Sequence, residues 1–189
     1  VVEFTATFAA DGSVLAAAAV DSSTLLSAFD FEGIAAGISN ASSLFLSEES
    51  TPGIREFDLQ SGEELQVVPL PNAFDSIRNN RGLESLTRAA DGGTMWTANE
   101  EALTIDGPGA SDMNGTTVRL QQFNIDWPTV TPTVQLAYEV DPVHGNHVPE
   151  DGSRSGLADL VVLPDGAVLA LERSLGFSSG IVPIPSFES

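Results

Sequence analysis

Residues 81–101 read RGLESLTRAADGGTMWTANEE, two short, partly apolar segments joined by Asp91-Gly92. Asp-Gly between such segments predicts a hairpin, because tight turns need backbone angles that glycine adopts without steric cost. Glu84 stands at the start of the first segment, and Glu100 and Glu101 stand at the end of the second. The stretch therefore predicts an antiparallel hairpin with carboxylates at both of its open ends.

The same turn signal recurs along the chain. Asp-Gly occurs five times, and three of the pairs have apolar segments on both sides, which predicts hairpins over 5–19, 83–99 and 157–171. Helical patterns are few, since 17 Gly and 11 Pro interrupt the chain and its apolar runs are short. We therefore expect an all-β fold.

The hairpin at 81–101 belongs to an internal repeat. GLESLTRAADG at 82–92 and GLADLVVLPDG at 156–166 have the same length and the same Gly-Leu and Asp-Gly ends. An earlier copy from residue 31 lacks Asp-Gly but keeps the separation between the acids, with Glu32 in the place of Glu84. Three copies of one unit are therefore expected.

Each of the first two copies continues with two more segments that alternate apolar and polar residues. Four short antiparallel strands repeated about every 50 residues are typical of the blades of a β-propeller. We expect antiparallel four-stranded blades of a partial propeller within one domain, 1–189. The predicted units are a hairpin at 3–20 and blades at approximately 31–72, 82–140 and 156–189, with surface loops at 102–115 and 141–155.

The charge balance restricts the partners. Seven basic residues against 27 acidic ones give a formal net charge of −20, which disfavours nucleic acid and anionic membranes. It favours cationic partners, divalent metal ions first, or it keeps a secreted or salt-adapted protein soluble. Cysteine is absent, which excludes disulfides and thiolate zinc sites. No run approaches the ~18 apolar residues of a membrane span, so we expect no membrane insertion.

The order and spacing of these pieces resemble the phytase-like domain, also described as the esterase-like activity of phytase. The residues that carry the resemblance are NRGLESLTRAADGGTMWTANEEALTIDGP at 80–108, VRLQQFN, AYEVDP, and SGLADLVVLPDGAVLALERSLG at 155–176. The resemblance covers about 31–176. It implies a secreted or periplasmic bacterial β-propeller-like protein whose acidic residues serve phosphoester hydrolysis. The site residues that it carries over are Glu84, Glu100, Glu101, Asp159, Glu172 and Arg173.

In a propeller the first strand of each blade lines the central channel, so Glu32, Glu84 and Asp159 are expected to converge at one mouth. Carboxylates gathered in this way need a cation or a shared proton, and oxygen ligands suit calcium or magnesium. We expect calcium. The predicted metal ligands are Glu32, Glu84, Glu101, Asp159 and Glu172, and the predicted catalytic residues are Glu84, Glu100 and Asp159. The alternative is that these acids are solvated strand ends.

Arg81 and Arg173 are the predicted substrate-binding residues, because an arginine fork can hold a phosphate. The alternative is a structural Arg–Glu pair between blades. His144 and His147 lie three residues apart in a Gly- and Pro-containing loop, which is a weak metal signal. Trp96 and Trp127 are expected in the core or between blades.

Some phosphoester-cleaving mechanisms are excluded because their sequence motifs are absent. The sequence has no Arg-His-Gly triplet and no phosphate-binding Gly-Lys loop. Metal-assisted hydrolysis of a small phosphoester by carboxylates is the remaining enzymatic prediction. The alternative is a non-catalytic propeller that serves as a binding module at the cell surface or in the extracellular space.

The number of repeats falls short of a closed propeller, which needs roughly six blades of this size. About three are present. We therefore expect either a piece of a larger domain or self-association through open blade edges, which are otherwise prone to aggregation.

Overall fold

A computed structural model describes residues 1–144, 153–177 and 185–188. The described part contains strands and one short 3-10 helix (Asn72–Ser76), with no α-helix, and it has no helix long and apolar enough to cross a membrane. The predicted all-β class is confirmed. The strands are β1 (Val2–Phe8), β2 (Val14–Ser22), β3 (Phe31–Ala36), β4 (Ser43–Glu48), β5 (Gly53–Asp58), β6 (Glu64–Val68), β7 (Leu83–Arg88), β8 (Thr94–Asn99), β9 (Thr116–Asp126), β10 (Thr129–Val140), β11 (Arg154–Val162), β12 (Val168–Phe177) and β13 (Pro185–Glu188).

These strands form a two-stranded hairpin and three larger antiparallel sheets. The first sheet has the order β3-β4-β5-β6, the second β7-β8-β9-β10 and the third β11-β12-β13. Neighbouring strands in each sheet are consecutive in sequence, as in propeller blades. The leading strand of each sheet lies against the next, β3 on β7 and β7 on β11, so the sheets stack in chain order and the arrangement is propeller-like.

Two apolar clusters hold the stack together. Between the first and second sheets, Phe45 and Ile54 pack with Leu86, Met95 and Phe123. Period-two alternation along each strand places these residues on one face. A strand-to-strand contact adds a polar link, since Ser47 Oγ accepts a hydrogen bond from Gly33 N at 2.8 Å and donates to Leu83 O at 3.1 Å.

Between the second and third sheets, Trp96, Ala98 and Leu120 pack with Leu157 and Leu160. Trp96 is therefore buried between sheets, as predicted. Trp127 was expected there too, and this expectation is wrong. The residue lies in the tight turn between β9 and β10, and it is 68% exposed.

The buried carboxylate of Glu56 organises the turn between β3 and β4. It accepts hydrogen bonds from the backbone N–H groups of Ile38 and Ser39, from the hydroxyls of Ser39 and Ser43, and from Gln66, at 2.6–2.7 Å. Burial alone would raise the pKa of Glu56, but these hydrogen bonds outweigh it and lower the pKa to about 2. Glu56 is thus structural.

Candidate functional site

The three large sheets share a β-bulge at the same place in the leading strand. Pairing in the second sheet runs from Leu83 with Asn99 to Ser85 with Ala98, which leaves Glu84 as the extra residue. The same shift follows Phe31 in the first sheet and Leu157 in the third. A bulge redirects a side chain out of the regular alternation. The residues that directly follow Phe31, Leu83 and Leu157 are therefore equivalent, and they are Glu32, Glu84 and Ala158.

A second set of equivalent residues, Glu49, Glu100 and Arg173, follows the residues that pair with Phe31, Leu83 and Leu157. Glu49 N donates to the carbonyl of Asp30, Glu100 N donates to that of Gly82, and Arg173 is paired with Gly156. Glu49 was missed at the sequence level, where the Glu pair at 48–49 was aligned through its first member. The turn between β3 and β4 is one residue longer than the turn between β7 and β8, since Ile34 pairs with Leu46 and its equivalent Leu86 pairs with Thr97, and this moves the match from Glu48 to Glu49.

Glu49, Glu84 and Glu100 meet at the rim where the sheets converge. Each offers a carboxylate oxygen within 4.8 Å of the other two, and their side chains are largely buried. Glu49 also forms such a group with Asp30 and Glu32. Five carboxylates from two neighbouring sheets therefore form one acidic rim, which includes Glu32, Glu84 and Glu100 of the predicted site.

Two arginines contact this rim. Arg81 lies 3.1 Å from Glu100 Oε2 through Nη1 and 3.2 Å from Glu101 Oε1 through Nε. Arg173 Nη2 lies 3.1 Å from Glu100 Oε1 and 3.5 Å from Glu84 Oε1. The Arg81 side chain is 14% exposed, whereas that of Arg173 is 52% exposed. Arg173 is thus the one open to a ligand.

The electrostatics of the rim favour protons or cations. Burial, and then the charge of Glu100, raise the pKa of Glu84 to about 7 against the opposing effect of Arg173. Burial also raises the pKa of Glu49, of Glu32 and of Glu101, with Arg81 opposing the shift at Glu101. Like charges in a site of restricted solvation cost free energy unless a positive charge joins them.

Two adjoining cavities open at the rim. A groove of about 500 Å³ is lined by Glu32, Glu84, Asp159 and Arg173 among others. A smaller pocket of about 180 Å³ is lined by Arg81, Glu100, Arg173, Arg154, Ser155 and Ser174 among others. Sequence reasoning missed Arg154, which stands at the end of a long predicted loop without a motif around it. Its side chain has no ion pair within the described part of the chain.

Asp159 shares the groove but not the close cluster. It is exposed, and its Oδ1 accepts a hydrogen bond from Leu160 N at 2.7 Å. Ala158 holds the bulge position that Glu84 holds in the second sheet, so Asp159 corresponds to Ser85. The third sheet therefore contributes Arg173, and no bulge carboxylate, to the rim.

Glu172 lies in a separate group. Tyr138 Oη donates to its Oε1 at 2.5 Å, and Asp141 N donates to its Oε2 at 2.9 Å. The hydrogen bond to Glu172 raises the pKa of Tyr138 to about 12. Glu172, Asp141 and His144 offer ligand atoms within 4.8 Å of one another. His147 lies outside the described residues.

The comparisons with known proteins agree with the resemblance. A model of the phytase-like family, described as esterase-like activity of phytase, matches residues 6–183. No curated protein matches the sequence.

Proposed function

The chain belongs to the phytase-like family, and from this premise we propose that it hydrolyses small phosphoesters at its acidic rim with the help of a divalent cation. The observation that carries the proposal is the group formed by Glu49, Glu84 and Glu100, whose carboxylate oxygens lie within 4.8 Å of one another beside Arg173. Carboxylates and a partly exposed arginine at one groove are the groups that phosphoryl chemistry requires.

The donor set fits a hard cation. All three ligand groups are carboxylates, and calcium and magnesium prefer oxygen. A cation would offset the burial and the negative charge of Glu100, which together raise the pKa of Glu84. Calcium is our choice, because it accepts irregular sets of oxygen ligands and magnesium requires a nearly octahedral set. When bound, the cation would supply charge neutralisation for the phosphate and acidify a water molecule.

The chain's own residues would orient the substrate and handle the proton. The ion pairs of Arg173 among the described residues involve Nη2, so its other N–H groups can donate to phosphate oxygens. Glu84 lies at the edge of the cation site and would accept the proton of the attacking water as general base. A water oxygen would bond to phosphorus as its proton passes to Glu84, and the bond from phosphorus to the leaving alkoxide would break. Glu84 would then pass this proton to the leaving oxygen, which restores the carboxylate and releases the alcohol.

Glu100 would act through the arginines, because it holds Arg81 with one oxygen and Arg173 with the other. Asp159 lines the groove at its exposed side and could contact the part of the substrate that leaves. The family likeness favours a secreted or periplasmic location for this activity.

One observation favours the non-catalytic alternative. Arg81 is largely buried between Glu100 and Glu101, as expected of a structural ion pair between strands. A binding module that uses the rim only to hold a cation would have the same contacts. Measurement of cation binding and of hydrolysis on the same protein separates the two functions.

The experiment uses the chain stripped of metal, calcium or magnesium added back, and the two substrates p-nitrophenyl phosphate and bis-p-nitrophenyl phosphate. We expect hydrolysis that a chelator abolishes, and a fall of about 100-fold or more in kcat for Glu84→Gln. Glu139→Gln, on the exposed outer strand β10, is the matched control and should retain activity. Calcium binding by calorimetry without turnover of either substrate would favour the binding module. Absence of both would reject the cation site itself.

A further inference from the structure

The smaller pocket beside the acidic rim, of about 180 Å³, has an unusual concentration of positive charge. Three of the seven basic residues of the chain line it, namely Arg81, Arg154 and Arg173. The formal net charge of the chain is −20, so a cavity with three arginines stands out against the rest of the protein. Such a local positive site attracts a negatively charged group that the remainder of the surface would repel.

The pocket forms at the open end of the hairpin β11–β12. Arg154 pairs with Leu175, and Gly156 pairs with Arg173. Paired residues and residues two apart along a strand share a face, so these four lie on the same face of the third sheet. Gly156 has no side chain, which lets the second sheet approach this face, since a Cβ there would lie 2.6 Å from Cγ of Glu100. The close approach brings Glu100 to Arg173 at the edge of the pocket.

Hydrogen bonds on the opposite face fix the backbone beside the pocket. Ser155 and Ser174, which pair with each other, are both 2% exposed. Ser155 Oγ donates to the carbonyl of Asp141, and the backbone N–H of His144 donates to Ser174 Oγ at 3.2 Å. The strand segment that carries Arg154 is therefore held in place before any ligand binds, as a binding site requires.

Two of the three arginines are already neutralised by the protein. Arg81 and Arg173 each contact two carboxylates of the rim at 3.5 Å or less. Arg154 is half-buried and lines the same pocket, and it forms no ion pair with the residues that the structure describes. A guanidinium without a counter-ion can hold an anion through two parallel hydrogen bonds. The pocket thus offers one uncompensated positive charge.

One unpaired arginine matches a group with one negative charge. A carboxylate carries a single charge, and its two oxygens fit the planar fork of a guanidinium. A phosphate monoester carries up to two charges at neutral pH. Its second charge would lie close to Glu100 without a cation of its own, because Glu100 also lines this pocket. The charge balance therefore favours a carboxylate over a second phosphate.

The pocket adjoins the groove in which the phosphate would react. Arg173 lines both cavities, so it stands between the groove of about 500 Å³ and Arg154 in the smaller pocket. A ligand with its phosphate in the groove can therefore place its alcohol part in the pocket. Leu175 lies on the same face and gives the carbon chain an apolar contact.

We propose that Arg154 binds a carboxylate of the substrate in this pocket, so that the phosphoester hydrolysed at the rim is the phosphate ester of a hydroxy acid. The inference rests on the proposed function and names the substrate class of that site. Arg154 would determine specificity, while the rim residues act on the phosphate. The expected preference opposes the overall field, because a chain with a charge of −20 repels the more negative of two substrates.

The kinetic test compares two esters that differ only in a carboxylate in place of a hydroxymethyl group, the terminal phosphate esters of glycerate and of glycerol. At fixed free calcium we expect kcat/KM to be at least about tenfold higher for the glycerate ester, through a lower KM. Arg154→Gln should remove this preference, and Arg154→Lys should retain part of it, since the charge stays and the fork is lost. Arg119→Gln, whose arginine is paired with Asp106, controls for the loss of one positive charge and should keep the wild-type ratio.

A binding measurement tests the pocket without turnover. In NMR titrations of the metal-free chain, glycerate should shift the guanidinium N–H signal of Arg154, and glycerol should not. Arg154→Gln should lose glycerate binding, whereas Arg119→Gln should keep it. Thermal unfolding of each variant checks that the loss of binding is not a loss of the fold.

The two measurements distinguish failure of this inference from failure of the proposed function. Glycerate binding that Arg154→Gln abolishes, without hydrolysis of either ester, would reject the phosphoesterase and support the carboxylate site. Hydrolysis of both esters with equal kcat/KM would support the phosphoesterase and overturn the carboxylate site. Absence of glycerate binding to the wild-type chain would overturn it too. So would preference for a glycerol ester with a phosphate at both ends over the glycerate ester, since the pocket would then bind a phosphate.

Discussion

Glu84→Gln tests whether the buried negative charge of Glu84 lowers the stability of the fold when no cation is bound. The Glu84 side chain is 8% exposed, and its nearest charged neighbours include Glu100, Glu49 and Arg173. The amide keeps the size of the side chain and removes the negative charge. Without a cation, the variant should therefore be more stable than the wild-type chain at neutral and alkaline pH.

The size and the pH dependence follow from the pKa of Glu84, which rises from 4.5 to about 7 on folding. A carboxyl group whose pKa is higher in the folded state destabilises the fold when it is ionised. Below about pH 4.5 Glu84 is protonated in both states, so this destabilisation is absent. The cost grows as the pH rises and is complete above about pH 7. A shift of this size corresponds to about 3 kcal/mol. The melting temperature should then rise by roughly 6–12 °C in the variant, given the size of the chain.

Thermal and urea unfolding of the metal-free proteins between about pH 4.5 and pH 8 measure this difference. Calcium at one hundred times its dissociation constant should cancel most of this difference, because binding adds about 2.7 kcal/mol to the wild-type chain and the variant lacks one of the ligands. Glu139→Gln, exposed on β10, controls for the loss of one negative charge. In the metal-free proteins, a stability difference between Glu84→Gln and the wild-type chain that does not change with pH would refute the electrostatic reasoning.

Two further predictions concern the scaffold. Glu56→Gln should lower the free energy of unfolding by about 3 kcal/mol above about pH 5, because ionised Glu56, with its lowered pKa, stabilises the fold. The loss should shrink as the pH falls towards 2. Urea unfolding of the variant beside Glu63→Gln, an exposed control, measures this loss, and a value under about 1 kcal/mol would contradict the prediction. Gly156→Ala should weaken calcium binding and lower the free energy of unfolding by about 1–3 kcal/mol, because the new methyl group would lie 2.6 Å from Cγ of Glu100. Gly166→Ala is the control for backbone strain alone, since Gly166 has φ +88° and a Cβ there would have no neighbour within 4 Å. Equal calcium affinity in the two variants would be evidence against the contact.

Much of the strand pattern was predictable because it depends on local chemistry. Asp91-Gly92 turns the chain between β7 and β8, and Asp165-Gly166 does the same between β11 and β12. Alternation then places Trp96 and Leu160 between sheets. Trp127 was mispredicted because its apolar character says nothing about whether a neighbouring sheet covers a turn.

The site was only partly predictable. Glu32, Glu84 and Glu100 could be read from the repeat, whereas Glu49 and Arg154 could not. The turn between β3 and β4 has one residue more than the turn between β7 and β8, and the residue letters of the first copy, which lacks Asp-Gly, do not show this difference. Glu172 pairs with Leu157 as Asn99 pairs with Leu83, so it is not the equivalent of Glu100, and its hydrogen bonds with Tyr138 and Asp141 place it in a separate group.

By itself, the sequence determined the strand class, the turns, the order of the repeats and the excess of negative charge, because each depends on residues near one another in the chain. Only the tertiary structure decided which carboxylates share a rim and how far burial raises the pKa of Glu84. These properties depend on distances between separate sheets, and the packing of the leading strands β3, β7 and β11 sets those distances.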